Sequence, residues 1–220
     1  MLRVGLIEVK PQEHILMVDM HHIISDGVSQ GILIKDFMSF YNNLELPEFK
    51  LQYKDYSEWQ QSEKQQERIS KQEKYWLNEF ADEVTTLELS TDFKRPPVKS
   101  YEGNIVSFNL CTEETSKLKS IAETEGATLY MVLLSIYNVL LSKLSNQEDI
   151  VVGTPIAGRG HTDLENMIGM FVNTLPLRNY PKGELSFKKF LSEVKSKTLA
   201  CFENQSYQYE ELIDKLKVCI

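Results

Sequence analysis

The alternation of apolar and polar positions near the start of the chain predicts a β-hairpin followed by a helix. A short apolar run, Ile15 to Val18, follows the turn-forming segment 10–13, so residues 3–9 and 15–20 are expected to pair as strands. Beyond them, apolar side chains recur mostly every three to five residues, as on one face of a helix over 27–44. These are Val28, Ile32, Leu33, Phe37, Phe40, Tyr41 and Leu44.

Further along, the same pattern predicts mixed helices and strands on either side of an irregular stretch. Residues 53–80 are expected to form one long helix, and 88–104, with three of its residues Pro or Gly, an irregular connector. Strands are predicted over 105–110 and 149–153, an extended segment over 169–177, and helices from Thr112, from Leu129, over 186–202 and over 209–216. The predicted domains are 1–87, the connector 88–104, and 105–220.

The charge and hydropathy of the chain exclude some functional classes. The net charge of −8 and the pI of about 5.1 argue against a nucleic-acid partner, because no cluster of Lys and Arg is present to bind phosphates. The longest apolar stretch, 129–141, is shorter than the ~20 residues of a membrane span. Residues 1–20 do not resemble a signal peptide, so a cytoplasmic location without membrane contact is predicted.

The three cysteines, Cys111, Cys201 and Cys219, are widely spaced and form no CxxC pair. They indicate neither a disulfide framework nor a zinc site, and we interpret them as reduced thiols.

The segment with the clearest chemical potential lies between the second predicted strand and the first predicted helix. It places His21 and His22 four to six residues before Asp26 and Gly27. An imidazole exchanges protons near neutral pH, and adjacent residues of an extended segment point to opposite sides, so one histidine, for which we choose His22, is expected to act. The same alternation makes a metal site of His21, His22 and Asp26 improbable, and no metal is predicted.

Six segments together resemble the motifs of condensation domains from non-ribosomal peptide synthetases, in the chloramphenicol-acetyltransferase-like superfamily. The first, MHHIISDGVS at 20–29, resembles the HHxxxDG motif. The others are YKDYSEW at 53–59, DFKRPP at 92–97, VGTPIAGR at 152–159, IGMFVNTL at 168–175 and ENQSYQYE at 203–210. In the last segment, Tyr207 and Gln208 stand where the family is usually more apolar.

The resemblance implies an α/β (α+β) fold of the chloramphenicol-acetyltransferase-like sandwich type. Family members are about twice this long and begin and end with further blocks. The chain is therefore expected to hold the end of the N-terminal subdomain and the first half of the C-terminal subdomain.

By the same resemblance, the expected reaction is amide formation between an acyl or peptidyl thioester on one carrier protein and an amine on another. His22 and Gly27 are the expected catalytic groups, His22 as base or positioning group and Gly27 through its backbone N–H. Ser25 and Asn173 are expected to contact substrate, although an Asn at a strand end is more often bonded locally. The chain itself is expected to bind no cofactor, since phosphopantetheine belongs to the partner carrier proteins, which work beside adenylation domains.

Asp26 and His21 are expected to shape the active site rather than to react. An arginine should pair with Asp26, and Arg159 is preferred over Arg178 because it is a lone cation in a Gly-rich turn.

Three alternatives stay open. The chain could be an inactive fragment that serves as a scaffold or docking piece, or a stand-alone acyltransferase that uses coenzyme A thioesters. An epimerisation domain shares the histidine motif, but the GTPIAGR and FVNT segments argue against it.

Overall fold

The computed structural model describes residues 1–48, 50–98 and 100–217. It contains four strands, β1 (Leu2–Lys10), β2 (Glu13–Met20), β3 (Ile150–Ile156) and β4 (Asn173–Asn179). Its α-helices are α1 (Gly27–Tyr41), α2 (Tyr53–Gln60), α3 (Glu63–Glu79), α4 (Thr112–Thr124), α5 (Leu129–Ser145), α6 (Phe187–Glu203) and α7 (Tyr209–Leu216).

The predicted hairpin is confirmed. Strands β1 and β2 pair antiparallel, with Val4 opposite Val18 and Leu6 opposite Leu16. Gln12 completes the turn with a φ of 70°. Because side chains alternate between the two faces of a strand, Leu6 and its neighbour Ile7 make both faces of the hairpin apolar. A second two-stranded sheet joins β3 and β4.

The helix predicted after the hairpin is also confirmed, although it ends three residues earlier than expected. Asp26 caps its N-terminus, because the side chain accepts a hydrogen bond from the backbone N–H of Ser29. At the other end, Asn43 adopts a φ of 56°, a left-handed conformation that stops an α-helix.

The single helix predicted over 53–80 is wrong in one respect, since the structure divides it into α2 and α3. A turn at Gln61 and Ser62 separates the two helices. The carbonyl of Ser62 then accepts hydrogen bonds from the N–H groups of Gln65 and Gln66 and so begins α3. Neither glycine nor proline marks this break.

The strand predicted over 105–110 is wrong, because the described residues between α3 and α4 contain neither strand nor helix. Ile105, Val106 and Phe108 are 85%, 90% and 83% exposed. A strand requires a neighbour that satisfies its backbone N–H and C=O groups, and among the described residues none pairs with this segment.

The elements predicted after Thr112 are confirmed with shifts of a few residues at their ends. Helix α4 begins after Cys111, where the N–H of Cys111 donates to Glu114 Oε2 and the N–H of Glu114 donates to Cys111 Sγ. Thr128 caps α5 through its side-chain oxygen, and Asn146 ends that helix with a φ of 56°. Ser186 caps α6, the helix predicted over 186–202.

The chain divides into two compact units. Residues 1–74, 155–174 and 206–208 form the first unit, and the other described residues form the second. In the first, Leu164, Met167 and Phe171 pack together with Tyr56 against them. In the second, a cluster of Ala122, Met131, Val132 and Leu191 is covered by Leu118 and Ala127. The domain limits expected from the sequence stay a prediction.

No single helix in the described part of the chain is both long and apolar enough to cross a membrane. Helices α4 and α5 meet that test only when taken together, on length and composition, with a bend of 106° between them. Of the cysteines, Cys111 and Cys201 are free thiols, and Cys219 lies outside the described residues.

Candidate active site

The histidine pair lies directly after β2, where the chain forms a single 3-10 turn over His22–Ile24. His21 caps this turn, because its Nδ1 accepts a hydrogen bond from the backbone N–H of Ile23 at 3.1 Å. His22 is the first residue of the turn, and its side chain makes no such capping bond. Both histidines are exposed. The local structure thus gives His21 a structural bond and leaves the ring of His22 open to approach.

Asp26 ends this segment and is fully buried, with 0% of its surface exposed. Its Oδ1 accepts from the N–H of Ser29 at 2.7 Å, and its Oδ2 accepts from the N–H of Phe171 at 3.2 Å. Nη2 of Arg159 donates to Oδ1 at 3.0 Å and to Oδ2 at 3.3 Å. The carboxylate therefore joins the start of α1 to segments more than 130 residues away in the sequence.

Arg159 is the arginine that the sequence analysis preferred for Asp26. Only 6% of its side chain is exposed. Its Nη1 donates to the carbonyl of Met167 at 2.6 Å and to the carbonyl of Leu164. The guanidinium carbon also lies 4.2 Å from the ring centroid of Phe171, within cation–π range. The planar fork of one arginine thus holds a carboxylate, two carbonyls and a ring.

The same contacts set the pKa of Asp26. Burial alone would raise it, because a charged carboxylate loses its hydration. The hydrogen bonds from Ser29, Phe171 and Arg159 favour the ionised form and outweigh burial, so the pKa of Asp26 lies below its ordinary value. Asp26 is consequently a charged structural group and a poor proton acceptor near neutral pH.

Ser29 is a central residue of this network that the sequence analysis missed. Its hydroxyl donates to the carbonyl of Gly169 at 2.9 Å and accepts from the N–H of Gly169 and from Arg159 Nη2, both at 3.0 Å. A hydroxyl has one donor and two acceptor positions, so all of its capacity is used. Its position could have indicated this role, because a residue three positions after a capping aspartate directs its backbone N–H at the aspartate side chain.

Two glycines, Gly158 and Gly169, allow other groups to approach the backbone closely around Arg159. Gly158 has a φ of 65°, and a Cβ added there would lie 1.8 Å from the carbonyl oxygen of Phe171. A Cβ added at Gly169 would lie 2.0 Å from Cδ2 of Tyr53. The Tyr53 hydroxyl also donates to the carbonyl of Met170 at 2.7 Å. Tyr53 and Phe171 were recognised only as parts of motifs, and their contacts with this loop were missed.

The structure leaves some predicted site residues away from any open surface. Ser25 is 3% exposed, so its side chain is closed to an approaching molecule in this conformation. Asn173 is buried as well. Its Nδ2 donates to the carbonyl of Tyr207 at 2.7 Å, and its Oδ1 accepts from the N–H of Thr174 at 2.8 Å. These contacts favour the local structural role that was kept as the alternative for Asn173.

The predictions made for Gly27 and for Arg178 compare differently with the structure. Gly27 is the first residue of α1 and is exposed, and a Cβ added there would meet nothing within 4 Å among the described residues. Its backbone is accordingly accessible. Arg178, the reserve partner for Asp26, instead pairs with Asp149 through Nε at 2.9 Å and Nη2 at 2.6 Å.

The described residues contain no group of three or more His, Cys, Asp or Glu side chains placed to hold a metal ion. The accessible chemical groups of the site are the exposed imidazole of His22 and the N–H groups at the start of α1. Imidazole can accept a proton, and N–H groups at a helix start can stabilise negative charge.

Comparison with known proteins identifies the family. The family model described as "Condensation domain" matches residues 1–219. Gramicidin S synthase 2 of Brevibacillus brevis is 53% identical over 218 residues, which cover 99% of this chain and 5% of that protein. Tyrocidine synthase 3 of Brevibacillus parabrevis is 52% identical over 216 residues, or 98% of this chain and 3% of that protein. The chain thus spans a small part of the length of these relatives.

Solved structures show the same fold. The X-domain from teicoplanin biosynthesis is 24% identical, with a TM-score of 0.87, and the match covers 99% of this chain and 51% of that one. The first condensation domain of the calcium-dependent antibiotic synthetase is 21% identical, with a TM-score of 0.73 over 100% of this chain and 49% of that one. The predicted α/β (α+β) fold of the chloramphenicol-acetyltransferase-like type is confirmed. The chain belongs to the condensation-domain family.

Proposed function

We propose that this chain is part of a condensation domain that forms amide bonds in non-ribosomal peptide synthesis, with His22 as the reacting side chain. The observation that carries this proposal is the position of His22. Its exposed ring lies four residues before Asp26, which is buried and bonded to Arg159 and Ser29. The family membership and the synthases among its relatives support the same reaction.

In the proposed reaction, the amine nitrogen of the acceptor attacks the thioester carbonyl carbon of the donor. A C–N bond forms, the C–S bond breaks, and the carrier thiol is released. The amine gives up one proton, which His22 accepts and passes to the departing thiolate, so the atoms and charges balance. A positioned base contributes about 100-fold to 10,000-fold, and holding two tethered substrates together can contribute about 7–11 kcal/mol.

Other residues take supporting parts in this proposal. The N–H of Gly27 stabilises the negative charge that develops on the thioester oxygen, since it lies at the exposed start of α1. His21, Asp26 and Arg159 hold the segment in shape and are positioning residues. Ser25 and Asn173 would contact substrate only after a local movement, because both are buried.

The proposed partners are carrier proteins that bring donor and acceptor on phosphopantetheine, together with adenylation domains that load those carriers. The chain needs no cofactor of its own for this chemistry. The proposed location is the cytoplasm, where the loaded carriers would be made.

The test uses a complete condensation domain that contains this sequence, with both carriers loaded. We expect His22→Ala to lower the single-turnover rate of peptide formation by about 100-fold to 10,000-fold. The control is His14→Ala, because His14 is also exposed but lies in β2. A wild-type rate for His22→Ala, in a variant with unchanged thermal unfolding, would remove His22 from the mechanism.

The same assay separates the two remaining alternatives. A domain that accepts coenzyme A thioesters as readily as carrier-bound ones is a stand-alone acyltransferase. A domain that folds and yields no product from either donor is an inactive scaffold.

A further inference from the structure

A cavity in the first compact unit is lined by residues other than the proposed catalytic ones. It has a volume of about 330 Å³, at the lower end of the range found for small-molecule sites. One wall is formed by α2 and by Leu51, two residues before it, and the other by the loop after the Gly-rich turn. Its lining consists of Leu51, Asp55, Tyr56, Trp59, His161, Asp163, Leu164 and Met167.

The walls of this cavity are aromatic and aliphatic. Tyr56 and Trp59 lie on the same side, with ring centroids 6.0 Å apart. Trp59 is 46% exposed, although a large aromatic side chain usually buries most of its surface. Part of its ring is therefore available to a ligand. Leu164 and Met167 are buried and form a fixed apolar floor.

The polar groups of the lining are the carboxylates of Asp55 and Asp163, the imidazole of His161 and the hydroxyl of Tyr56. Asp55 accepts a hydrogen bond from the N–H of Gln52 at 2.7 Å, which fixes its carboxylate at the start of α2. Asp163 Oδ2 lies 3.4 Å from His161 Nδ1. A carboxylate can accept several hydrogen bonds, so neither contact prevents these groups from meeting a cation. The eight lining residues include two carboxylates and neither lysine nor arginine.

We propose that this cavity binds a primary alkylammonium group, with the ammonium against Trp59 and the carboxylates of Asp55 and Asp163 and the aliphatic stem over Leu164 and Met167. The face of an aromatic ring attracts a cation, most strongly for tryptophan, and the two carboxylates add negative potential. An anion would be repelled by the same charges. The four-carbon stem of a lysine side chain, or a small free alkylamine, matches the apolar walls.

The experiment titrates the 220-residue chain with n-butylammonium chloride and follows tryptophan fluorescence. Trp76 is 1% exposed and donates to the carbonyl of Asn204, so a change of emission is expected from Trp59. Trp59→Phe checks this assignment, because it should abolish the change. We expect a saturable response to butylammonium and none to sodium butyrate or 1-butanol at equal concentration.

Two neutralising substitutions test the role of the carboxylates. Asp55→Asn removes the charge while keeping a side-chain oxygen for the N–H of Gln52. Asp163→Asn removes the negative charge at the other wall. Each is expected to weaken butylammonium binding several-fold, and the double variant about tenfold or more. The matched control is Glu67→Gln, which removes one exposed negative charge from α3 outside the cavity.

The outcomes separate clearly. Equal binding of 1-butanol and butylammonium, or unchanged binding by the double variant, overturns the proposal. A comparison with Nα-acetyl-lysine amide then identifies the source of the group. Tighter binding of the lysine derivative indicates a polypeptide side chain, and tighter binding of butylammonium indicates a small amine. The lining includes none of the proposed catalytic residues, so these results are independent of the assay for peptide formation.

Discussion

Nη2 of Arg159 lies 3.0 Å from Oδ1 of Asp26, although 133 positions separate the two residues in the sequence. Both side chains are almost completely removed from solvent. An isolated buried charge is strongly unfavourable, so each residue depends on the other. The segment that carries His22 is thus anchored at its C-terminal end by an ion pair and not by the hairpin alone.

The first prediction concerns this ion pair. Asp26→Asn keeps an oxygen for the N–H of Ser29 but leaves the guanidinium of Arg159 buried without a charge partner. We expect the free energy of unfolding to fall by about 3–5 kcal/mol, measured by urea denaturation of the chain. Asp36→Asn, the same chemical change on the same helix, should cost less than about 1 kcal/mol. Equal effects of the two substitutions would contradict the structural role of Asp26.

The second prediction is the pH dependence of that effect. The pKa of Asp26 is lower in the folded chain than in the unfolded chain, where it lies at about 3.9. Ionised Asp26 therefore contributes its full stabilisation above that value and loses it as the pH falls through the folded pKa. The difference in unfolding free energy between wild type and Asp26→Asn should stay constant above about pH 5 and shrink as the pH falls below about 3.9. A difference that grows on acidification would show that the folded pKa is raised.

Ser29 provides the third prediction. Ser29→Ala removes a hydroxyl that bonds the carbonyl and the N–H of Gly169 and the guanidinium of Arg159. All of these groups are buried or nearly so. We expect a loss of about 1–3 kcal/mol in unfolding free energy. Ser39→Ala is the matched control, because Ser39 lies on the same helix, is only partly buried, and donates to the carbonyl of Lys35. Its cost should stay within about 0.5 kcal/mol.

The sequence predicted those parts of the fold that local signals determine. The hairpin has a turn-forming segment between apolar runs, α5 is a long apolar run, and α6 has Ser186 as its cap, so their positions could be recognised. The break between α2 and α3 could not, because Gln61 and Ser62 are ordinary helix residues. The strand expected over 105–110 failed for the opposite reason, since alternation alone does not provide a partner strand.

The contacts of the candidate site likewise include some that the sequence predicts and some that it does not. The Asp26–Arg159 pair could be predicted from chemistry, because a lone arginine in a Gly-rich turn suits a bidentate acceptor. Ser29 and Tyr53 contact backbone carbonyls far away in the sequence, and Phe171 contributes its own backbone N–H to Asp26. Backbone groups carry no residue-specific signal. Only a folded chain reveals which carbonyl or N–H a side chain meets.

The fourth prediction compares two thiols. Burial raises the pKa of the Cys201 thiol to about 11, and the Tyr75 hydroxyl lies 3.6 Å from its sulfur. Cys111 is exposed. Because the thiolate is the reactive form, iodoacetamide near pH 8 should label Cys111 rapidly and Cys201 only after unfolding in denaturant. Peptide mass mapping follows each site, and equal labelling of both in the folded chain would contradict the packing described around Cys201.

The last prediction tests the tight turn before Arg159. Gly158 has a φ of 65°, a conformation that side-chain-bearing residues rarely adopt, and a Cβ there would overlap the carbonyl oxygen of Phe171. Gly158→Ala must displace the backbone at Phe171, whose N–H binds Asp26, and should destabilise the chain by about 2 kcal/mol or more. Gly160→Ala is the control two residues away, since a Cβ at Gly160 meets nothing within 4 Å among the described residues. Urea denaturation of both variants measures the difference. Similar stability of the two would mean that the loop accommodates a side chain at 158 and that the Asp26–Arg159 pair does not depend on this turn.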